Sequence, residues 1–449
     1  MWSGSRLSDN HTEPAEVPMS GPTQLSRRRF IGSGVATTAG LGLLSSCSKS
    51  SGSSGGKTTI RFSYLWTGEE AKALETVIAK FNASQSYIVV KGVSNPDQQA
   101  QLAAMTGSKG SFDVSDNFGT VTGAWASKGV IKSLDEYIKK DNFDIDDFVP
   151  SAITQCRYQG QIYQLPIAVN NSALLYNKDL FDKVGIAKPP TTMSEWAEAI
   201  GKLTKTSGGQ ITQLGLGGTS GAGIDYRLMG AVYGGQWYTD GKPSPTDQGN
   251  IDGADFYVNN VIKKYGVKQI DRFVSGFGDY QSPQNPFYQG KLAMVIDGEW
   301  QPAFIKQFAP KLNWGVVPVP YPDGQQDQAN TNLVNPGTFF IPSNSQHPDQ
   351  AWEFLKYLVS KDAMRTFTVA LSNLPARKSL LGDQAYADIP NFDVFLKLLG
   401  DKNASSIPSE PSFSQYTSDL GTADDQITRL VKTPAAAYAQ VATAAKSYG

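Results

Sequence analysis

Histidine and cysteine are the scarcest chemically reactive residues in this 449-residue sequence, which has two of each. His11 lies in a segment with the features of a removable leader, so His347 is the histidine left to act as a base. A Ser-His-Asp hydrolase would need it, yet its surroundings resemble the start of a helix. Cys156 is the one thiol beyond Cys47, which excludes an internal disulfide and a Cys/His zinc site.

Nucleotide-binding motifs and an excess of positive charge are also missing. The sequence has neither a GxxxxGK[ST] loop nor a GxGxxG opening a helix. Loss of residues 1–46 would remove four of the 40 basic and three of the 41 acidic residues, leaving a net charge near −2. We therefore expect no nucleic-acid partner, no metal and no cofactor.

The N-terminal segment "SRRRFIGSGVATTAGLGLLSSCS" predicts export. Its apolar part is too short and too rich in Gly and Thr to span a bilayer. The Ser-Arg-Arg-x-Phe order resembles a twin-arginine signal, and Leu-Ser-Ser-Cys resembles a bacterial lipobox. We expect residues 1–46 to be a signal peptide, Cys47 to carry a lipid, and residues 47–57 to form a Ser/Gly tether at the exported face of a bacterial membrane.

The rest of the chain alternates between strand and helix patterns. "TTIRFSYLW" predicts a strand and "GEEAKALETVIAKFNAS" a helix, and the alternation then repeats, which is typical of a parallel sheet with crossover helices. The same alternation returns after residue 162. Two α/β units fit this pattern, and ligands of such sheets bind beyond the carboxyl ends of the strands.

Polar and aromatic residues follow several of the predicted strands. Their carboxylates and carboxamides can form paired hydrogen bonds with hydroxyls, and aromatic faces pack against the C–H face of a sugar. The candidates are Trp66, Glu69, Asp116, Asn117, Asn171, Asp225, Tyr226, Asp297, Glu299 and Trp300.

Each candidate also has a structural interpretation. Glu69 can complement a helix N-terminus, and Asp116 with Asn117 can form a turn. Trp300 can begin an apolar stripe with Phe304 of the following helix. These alternatives stay open at the level of the sequence.

Four segments, in order, resemble the family 1 extracellular solute-binding proteins of ABC importers, which include the maltose-binding type. They are "GQIYQLPIAVNNSALLYNKDLF", "FYQGKLAMVIDGEW", "NPGTFFIPSNSQHPDQAWEFLKYLVS" and "SNLPARKS". The resemblance implies an α/β fold with two lobes that close on a ligand. It places further ligand contacts at Asn335, Gly337 and Arg377.

The resemblance also implies how the chain is divided. One lobe would hold residues 58–167 with 322–373, and the other 168–317 with 374–449. Hinge crossings would lie near residues 166–169, 318–321 and 373–375.

The implied function is a monomeric, lipid-anchored receptor that captures a mono- or oligosaccharide and delivers it to an ABC permease, without enzymatic activity. A receptor for a polyamine or another cation is the alternative within this fold, because five of the candidates are acidic. An exported glycoside hydrolase is a third possibility. Asp297 and Glu299, two residues apart on a strand, would be about 6.6 Å apart, within the range glycosidases use.

Overall fold

The computed structural model describes residues 57–219 and 221–448. The predicted signal peptide, Cys47 and almost all of the tether lie outside these residues. Within the described chain, no helix has both the length and the apolar content needed to cross a bilayer.

Seventeen strands occur in the described residues. They are β1 (Thr58–Tyr64), β2 (Ile88–Ser94), β3 (Val114–Phe118), β4 (Arg157–Tyr158), β5 (Gln161–Ile162), β6 (Gln164–Asn170), β7 (Ser172–Asn177), β8 (Lys205–Ser207), β9 (Gln210–Leu216), β10 (Tyr238–Thr239), β11 (Lys242–Pro243), β12 (Leu292–Gly298), β13 (Trp314–Val317), β14 (Asn332–Leu333), β15 (Asn335–Phe340), β16 (Leu374–Pro375) and β17 (Ala404–Ser405).

Seventeen α-helices accompany these strands in the same part of the chain. They are α1 (Gly68–Ser84), α2 (Gln98–Thr106), α3 (Thr122–Ser127), α4 (Asp135–Lys140), α5 (Pro150–Thr154), α6 (Lys178–Lys183), α7 (Met193–Leu203), α8 (Tyr226–Val232), α9 (Gln248–Tyr257), α10 (Lys263–Tyr265), α11 (Val267–Val274), α12 (Gln301–Phe308), α13 (Pro348–Leu358), α14 (Lys361–Leu371), α15 (Phe392–Gly400), α16 (Phe413–Thr428) and α17 (Pro434–Ala445).

The first sheet has six strands in the order β16-β6-β15-β3-β1-β2. β1 pairs in parallel with both β2 and β3, as the strand–helix alternation predicts. β15 comes from much later in the chain and lies antiparallel between β3 and β6. The sheet is therefore completed by residues far apart in the sequence.

The second sheet has five strands in the order β13-β7-β12-β9-β8. β12 is its centre, antiparallel to β7 and parallel to β9. Residues 292–295 of β12 are all buried, as expected of an apolar run in a central strand. The α/β class predicted from the sequence is confirmed by these two sheets and their helices.

Helix α7 shows how local sequence positions an element against the second sheet. Thr192 accepts a hydrogen bond from the Glu195 amide, and the Glu195 carboxylate accepts one from the Thr192 amide, which forms a capping box. Trp196, Ile200 and Leu203 then lie on one face of the helix and are buried. The sequence pattern predicted this face correctly.

The two sheets are joined where β6 passes into β7. β6 belongs to the first sheet and ends at Asn170, whereas β7 belongs to the second sheet and begins at Ser172. Asn171 is the single residue between them. Asn335, the first residue of β15, pairs with Asn170, so three segments meet at this crossing.

Candidate functional site

A cavity of about 350 Å³, here called the central cavity, lies at the crossing from β6 to β7. Its volume falls within the range of about 300–1,000 Å³ typical of small-molecule sites. Four predicted site residues line it, namely Asn171, Asp225, Trp300 and Asn335. The other lining residues are Thr120, Gln155, Asn170, Ser172, Arg227, Leu333, Val334, Ile407, Phe413 and Thr417.

Three carboxamides of the central cavity carry an oxygen without a hydrogen-bond donor. The Oε1 atom of Gln155 and the Oδ1 atoms of Asn171 and Asn335 are buried and have no partner in the described chain. Gln155 and Asn171 are only 3% and 2% exposed. A buried acceptor without a donor costs about 1–3 kcal/mol, so these three residues leave hydrogen-bonding capacity unused at the wall of the cavity.

Trp300 lines this cavity with its aromatic ring, and Tyr280 holds the ring in place. The indole N–H donates to the Tyr280 hydroxyl at 2.6 Å, and that hydroxyl donates to Asp297 Oδ1 at 2.7 Å. A Cβ atom at position 298 would lie 2.3 Å from the Trp300 ring, so the indole can occupy this position only because residue 298 is glycine. The ring orientation is therefore set before any ligand arrives.

Asp297 belongs to this supporting network and does not line the cavity. It accepts hydrogen bonds from Tyr280, from the Gly298 amide at 2.8 Å and from Gln301 at 2.9 Å. Burial raises the pKa of Asp297 to about 6, although these three donors oppose the rise.

Glu299 is completely buried beneath the crossing. Its Oε1 accepts from the side-chain amides of Asn170 at 2.7 Å and Asn373 at 3.1 Å, and its Oε2 accepts from the Asn171 amide at 3.2 Å. Burial raises the pKa of Glu299 to about 8. Glu299 thus connects the β12 end to the crossing and to the residue preceding β16, and it does not face the cavity.

Arg227 brings a positive charge to the central cavity that the sequence analysis missed. Its Nη1 donates to Asp424 at 2.7 Å, and its Nε lies 3.9 Å from the Asp225 carboxylate. Asp225 also caps α8 by accepting from the amides of Arg227 and Leu228. The cation is therefore balanced by two carboxylates, so this wall carries no excess positive charge.

The remaining walls come from helix ends and from residues 404–411, here called the C-terminal strap. Gln155 donates to the Ile407 carbonyl at 2.9 Å, and the Gly123 amide donates to Ser409 Oγ at 3.1 Å. A Cβ at Gly123 would lie 2.1 Å from the Ser409 carbonyl, so the strap packs directly on the backbone of α3. No local motif marks these contacts, because the partners are more than 250 residues apart.

Two further predicted residues, Trp66 just after β1 and Gly337 of β15, lie beside each other and do not line the central cavity. The Trp66 ring stacks on Phe367 with centroids 5.1 Å apart, and it lies 3.1 Å from where a Cβ of Gly337 would be. Both residues are therefore part of the packing between β15 and α14.

The side chains of Asp116 and Asn117 form hydrogen bonds within the first lobe and do not line the cavity. Asp116 accepts from the Leu65 amide at 2.7 Å, and Asn117 donates to Gln101 at 2.9 Å. Burial raises the pKa of Asp116 to about 7. Their bonds connect β3 to the end of β1 and to α2.

The other predicted residues that do not line the cavity have structural partners. Tyr226 is buried and its hydroxyl is 2.9 Å from that of Thr428. Glu69 is exposed and pairs with Lys72 in the first turn of α1.

Arg377, the last of the predicted residues, is buried away from the cavity. It donates to the Val359 carbonyl at 2.8 Å and to Asp147 at 3.0 Å, and its guanidinium lies 4.2 Å from the Phe148 ring centroid. These contacts attach the segment after β16 to the loop before α5.

Comparison with known proteins identifies relatives over about two thirds of the sequence. The family model described as bacterial extracellular solute-binding protein matches residues 67–365. A binding protein of Brucella abortus is 29% identical over 301 residues, covering 66% of this chain and 70% of that protein. The maltotriose-binding protein of Pyrococcus abyssi is 22% identical over 314 residues, covering 68% of this chain and 63% of its own length.

A solved structure shares the fold over nearly the whole described chain. CpMnBP1 with mannobiose bound has a TM-score of 0.73 at 26% identity, covering 87% of this chain and 100% of that one. The two-lobed α/β fold implied by the sequence resemblance is therefore confirmed. Since the family model matches well over half of the sequence, this chain belongs to the bacterial extracellular solute-binding protein family.

Proposed function

We propose that this protein binds a saccharide in the central cavity, between its two lobes, and delivers it to an ABC import permease. The observation that carries the proposal is the set of three unpartnered carboxamide oxygens of Gln155, Asn171 and Asn335 around one cavity. Sugar hydroxyls can donate to all three, and the indole of Trp300 offers a face for the ring C–H groups. The relatives that bind maltotriose and mannobiose support this ligand class.

The charge at the site favours a neutral ligand over a polyamine. Of the five acidic candidates, only Asp225 lines the central cavity, and Arg227 lies beside it. Glu69 is paired at the surface, and Asp116, Asp297 and Glu299 accept bonds from protein donors. A polycation would gain little from such a wall, because Asp225 already lies beside Arg227.

A receptor also fits better than a glycoside hydrolase. Members of the family and its structural neighbours are described as binding proteins. Asp297 and Glu299 each have three N–H or O–H donors within the protein, and neither lines the cavity. They are therefore not placed to flank a glycosidic bond.

Closure of the lobes would couple binding to transport. The sequence prediction divides the lobes into residues 58–167 with 322–373 and 168–317 with 374–449, with crossings near 166–169, 318–321 and 373–375; because β6 and β16 both lie in the first sheet, we extend the first lobe to include residues 168–170 and 374–375. Because β6 stays in the first sheet as far as Asn170, we place the first pivot at Asn171. A ligand that moves a 1:99 equilibrium to 99:1 must favour the closed form by about 5.5 kcal/mol.

A thermal-shift panel tests the ligand class. We expect mannobiose or maltotriose, but not spermidine, to raise the melting temperature of the monomeric protein, because a ligand at 100 times its Kd adds about 2.7 kcal/mol. Asn335→Leu removes one unpartnered acceptor and should weaken saccharide binding at least fivefold without lowering ligand-free stability. Stabilisation by spermidine alone would establish the cation receptor, and release of monosaccharide during the incubation would establish a hydrolase.

We further propose that the mature chain is anchored through a lipid on Cys47. The proposal rests on the lipobox-like Leu44-Ser45-Ser46-Cys47 order and on the Ser/Gly tether that follows it. When the full chain is expressed in bacteria, the wild type should sediment with membranes and Cys47→Ala should be soluble after cell disruption. Equal membrane association of both proteins would exclude this anchor.

A further inference from the structure

The carboxamides that line the central cavity use their nitrogens within the protein. Gln155 Nε2 donates to the Ile407 carbonyl at 2.9 Å, and Asn171 Nδ2 donates to the Phe395 carbonyl at 3.0 Å. A main-chain carbonyl can only accept a hydrogen bond, so these partners fix which end of each carboxamide is the nitrogen. The oxygens of both side chains, and that of Asn335, are left without a donor in the described chain.

Other N–H groups of the same wall are also used within the protein. Asn170 Nδ2 donates to Glu299 Oε1 at 2.7 Å, and the Trp300 indole donates to the Tyr280 hydroxyl at 2.6 Å. Serine and threonine hydroxyls on this wall can both donate and accept, so they favour neither kind of ligand group. The wall therefore has more acceptors than donors to offer a ligand.

The cation of this wall is already paired. Of the described residues that line the cavity, only Arg227 and Asp225 are charged. Arg227 Nη1 donates to Asp424 at 2.7 Å, and its Nε lies 3.9 Å from Asp225 Oδ1. Burial raises the pKa of Asp424 to about 6, so this carboxyl is ionised at pH 8. One guanidinium is therefore shared by two carboxylates and is not free to pair with an anionic ligand.

We propose that the central cavity selects uncharged saccharides and rejects those that carry a carboxylate or phosphate, through its three carboxamides and Asp225. This inference rests on the proposed function and makes it more specific, because it states the charge class of the ligand. An anionic group brings acceptors alone, which cannot bond to carboxamide oxygens and are repelled by the Asp225 carboxylate. Burying such a charge without donors is costly, whereas a hydroxyl can donate to each oxygen.

Calorimetric titration with matched pairs of saccharides tests this inference. The probes are mannobiose and maltotriose, each compared with its uronate, in which carboxylates replace the primary alcohols. The titrations are made at pH 8 and at one ionic strength, because salt screens the interactions of charged groups. We expect the folded wild type to bind the neutral form of at least one pair at least tenfold more tightly than the uronate.

Two variants test whether the named side chains are responsible. Asp225→Asn removes the carboxylate but keeps an oxygen that can cap α8, and it should reduce the preference for the neutral form at least threefold. Asn335→Lys adds an ammonium group to the wall and should reduce that preference at least tenfold, mainly by tightening uronate binding. Gln210→Lys adds the same charge at an exposed position of β9 and should retain the wild-type preference. Melting temperatures show whether each variant is folded.

The outcomes distinguish this inference from the function on which it rests. Equal binding of the neutral and uronate forms by the wild type, or tighter binding of the uronate, would overturn charge selection and leave saccharide binding standing. A preference that survives undiminished in folded Asp225→Asn and Asn335→Lys would also overturn it. Failure of all four probes to bind the folded wild type would overturn both this inference and the proposed function.

Discussion

Replacing Glu299 with leucine is expected to lower the free energy of unfolding by at least about 3 kcal/mol. The change leaves three N–H donors without their acceptor, the buried backbone amide of Asn171 and the half-buried side-chain amides of Asn170 and Asn373, at up to about 1–3 kcal/mol each. Glu299→Gln keeps one acceptor oxygen and should cost less. Chemical denaturation of the ligand-free protein measures both values.

The stability of the wild type should also depend on pH in a direction set by this residue. Burial raises the pKa of Glu299 from its ordinary 4.5 to about 8. Between these values the folded state binds more protons than the unfolded state, so the free energy of unfolding falls as pH rises. Buried Asp116, at about 7, and Asp297, at about 6, act in the same direction.

We therefore expect a higher melting temperature at pH 5 than at pH 8, and Glu299→Gln should flatten the decline between pH 6 and pH 8. Glu198→Gln, at an exposed position of α7, is the matched control and should leave both stability and pH dependence near the wild type. Full stability of Glu299→Leu would show that the crossing does not depend on this carboxyl.

Replacing Trp300 with alanine is expected to weaken saccharide binding at least tenfold, which corresponds to about 1.4 kcal/mol. The indole lines the central cavity and its orientation is set by the 2.6 Å bond to Tyr280. Loss of the ring removes the apolar face for the sugar and widens the cavity. Calorimetric titration with mannobiose, maltotriose or whichever saccharide stabilises the protein measures the change.

Trp300→Phe is the matched variant for this prediction. It keeps an aromatic face but loses the N–H bond, so its affinity should lie between those of the wild type and Trp300→Ala. Circular dichroism and the melting temperature control for folding. Wild-type affinity in a folded Trp300→Ala protein would mean that the indole serves packing alone, in the stripe with Phe304.

The apolar run before Asp297 shows what the sequence could predict. Residues 292–296 indicated a buried strand, and they form the centre of the second sheet. The sequence also predicted that residues near the ends of strands come together, and one cavity is lined by four of them, Asn171, Asp225, Trp300 and Asn335. Whether these four contact a ligand stays a prediction.

The sequence pattern could not predict the direction in which each polar side chain points. Asp116 lies at a strand end like Asn171, yet it faces the Leu65 amide within the first lobe. Tyr226 directly follows Asp225, but it points into the core because successive helical residues differ in direction by about 100°. Gln155 and Ile407 could not be found at all, because their contact joins segments 252 residues apart.

The wide spacing of the cavity walls has a consequence for biosynthesis. The residues that line the central cavity are spread along the sequence from Thr120 to Thr417, and the C-terminal strap forms a hydrogen bond with α3. A ribosome must therefore translate almost the whole message before the walls of this cavity can assemble. A prematurely terminated product would lack a wall of the cavity, so incomplete chains would not bind the ligand proposed for the finished protein.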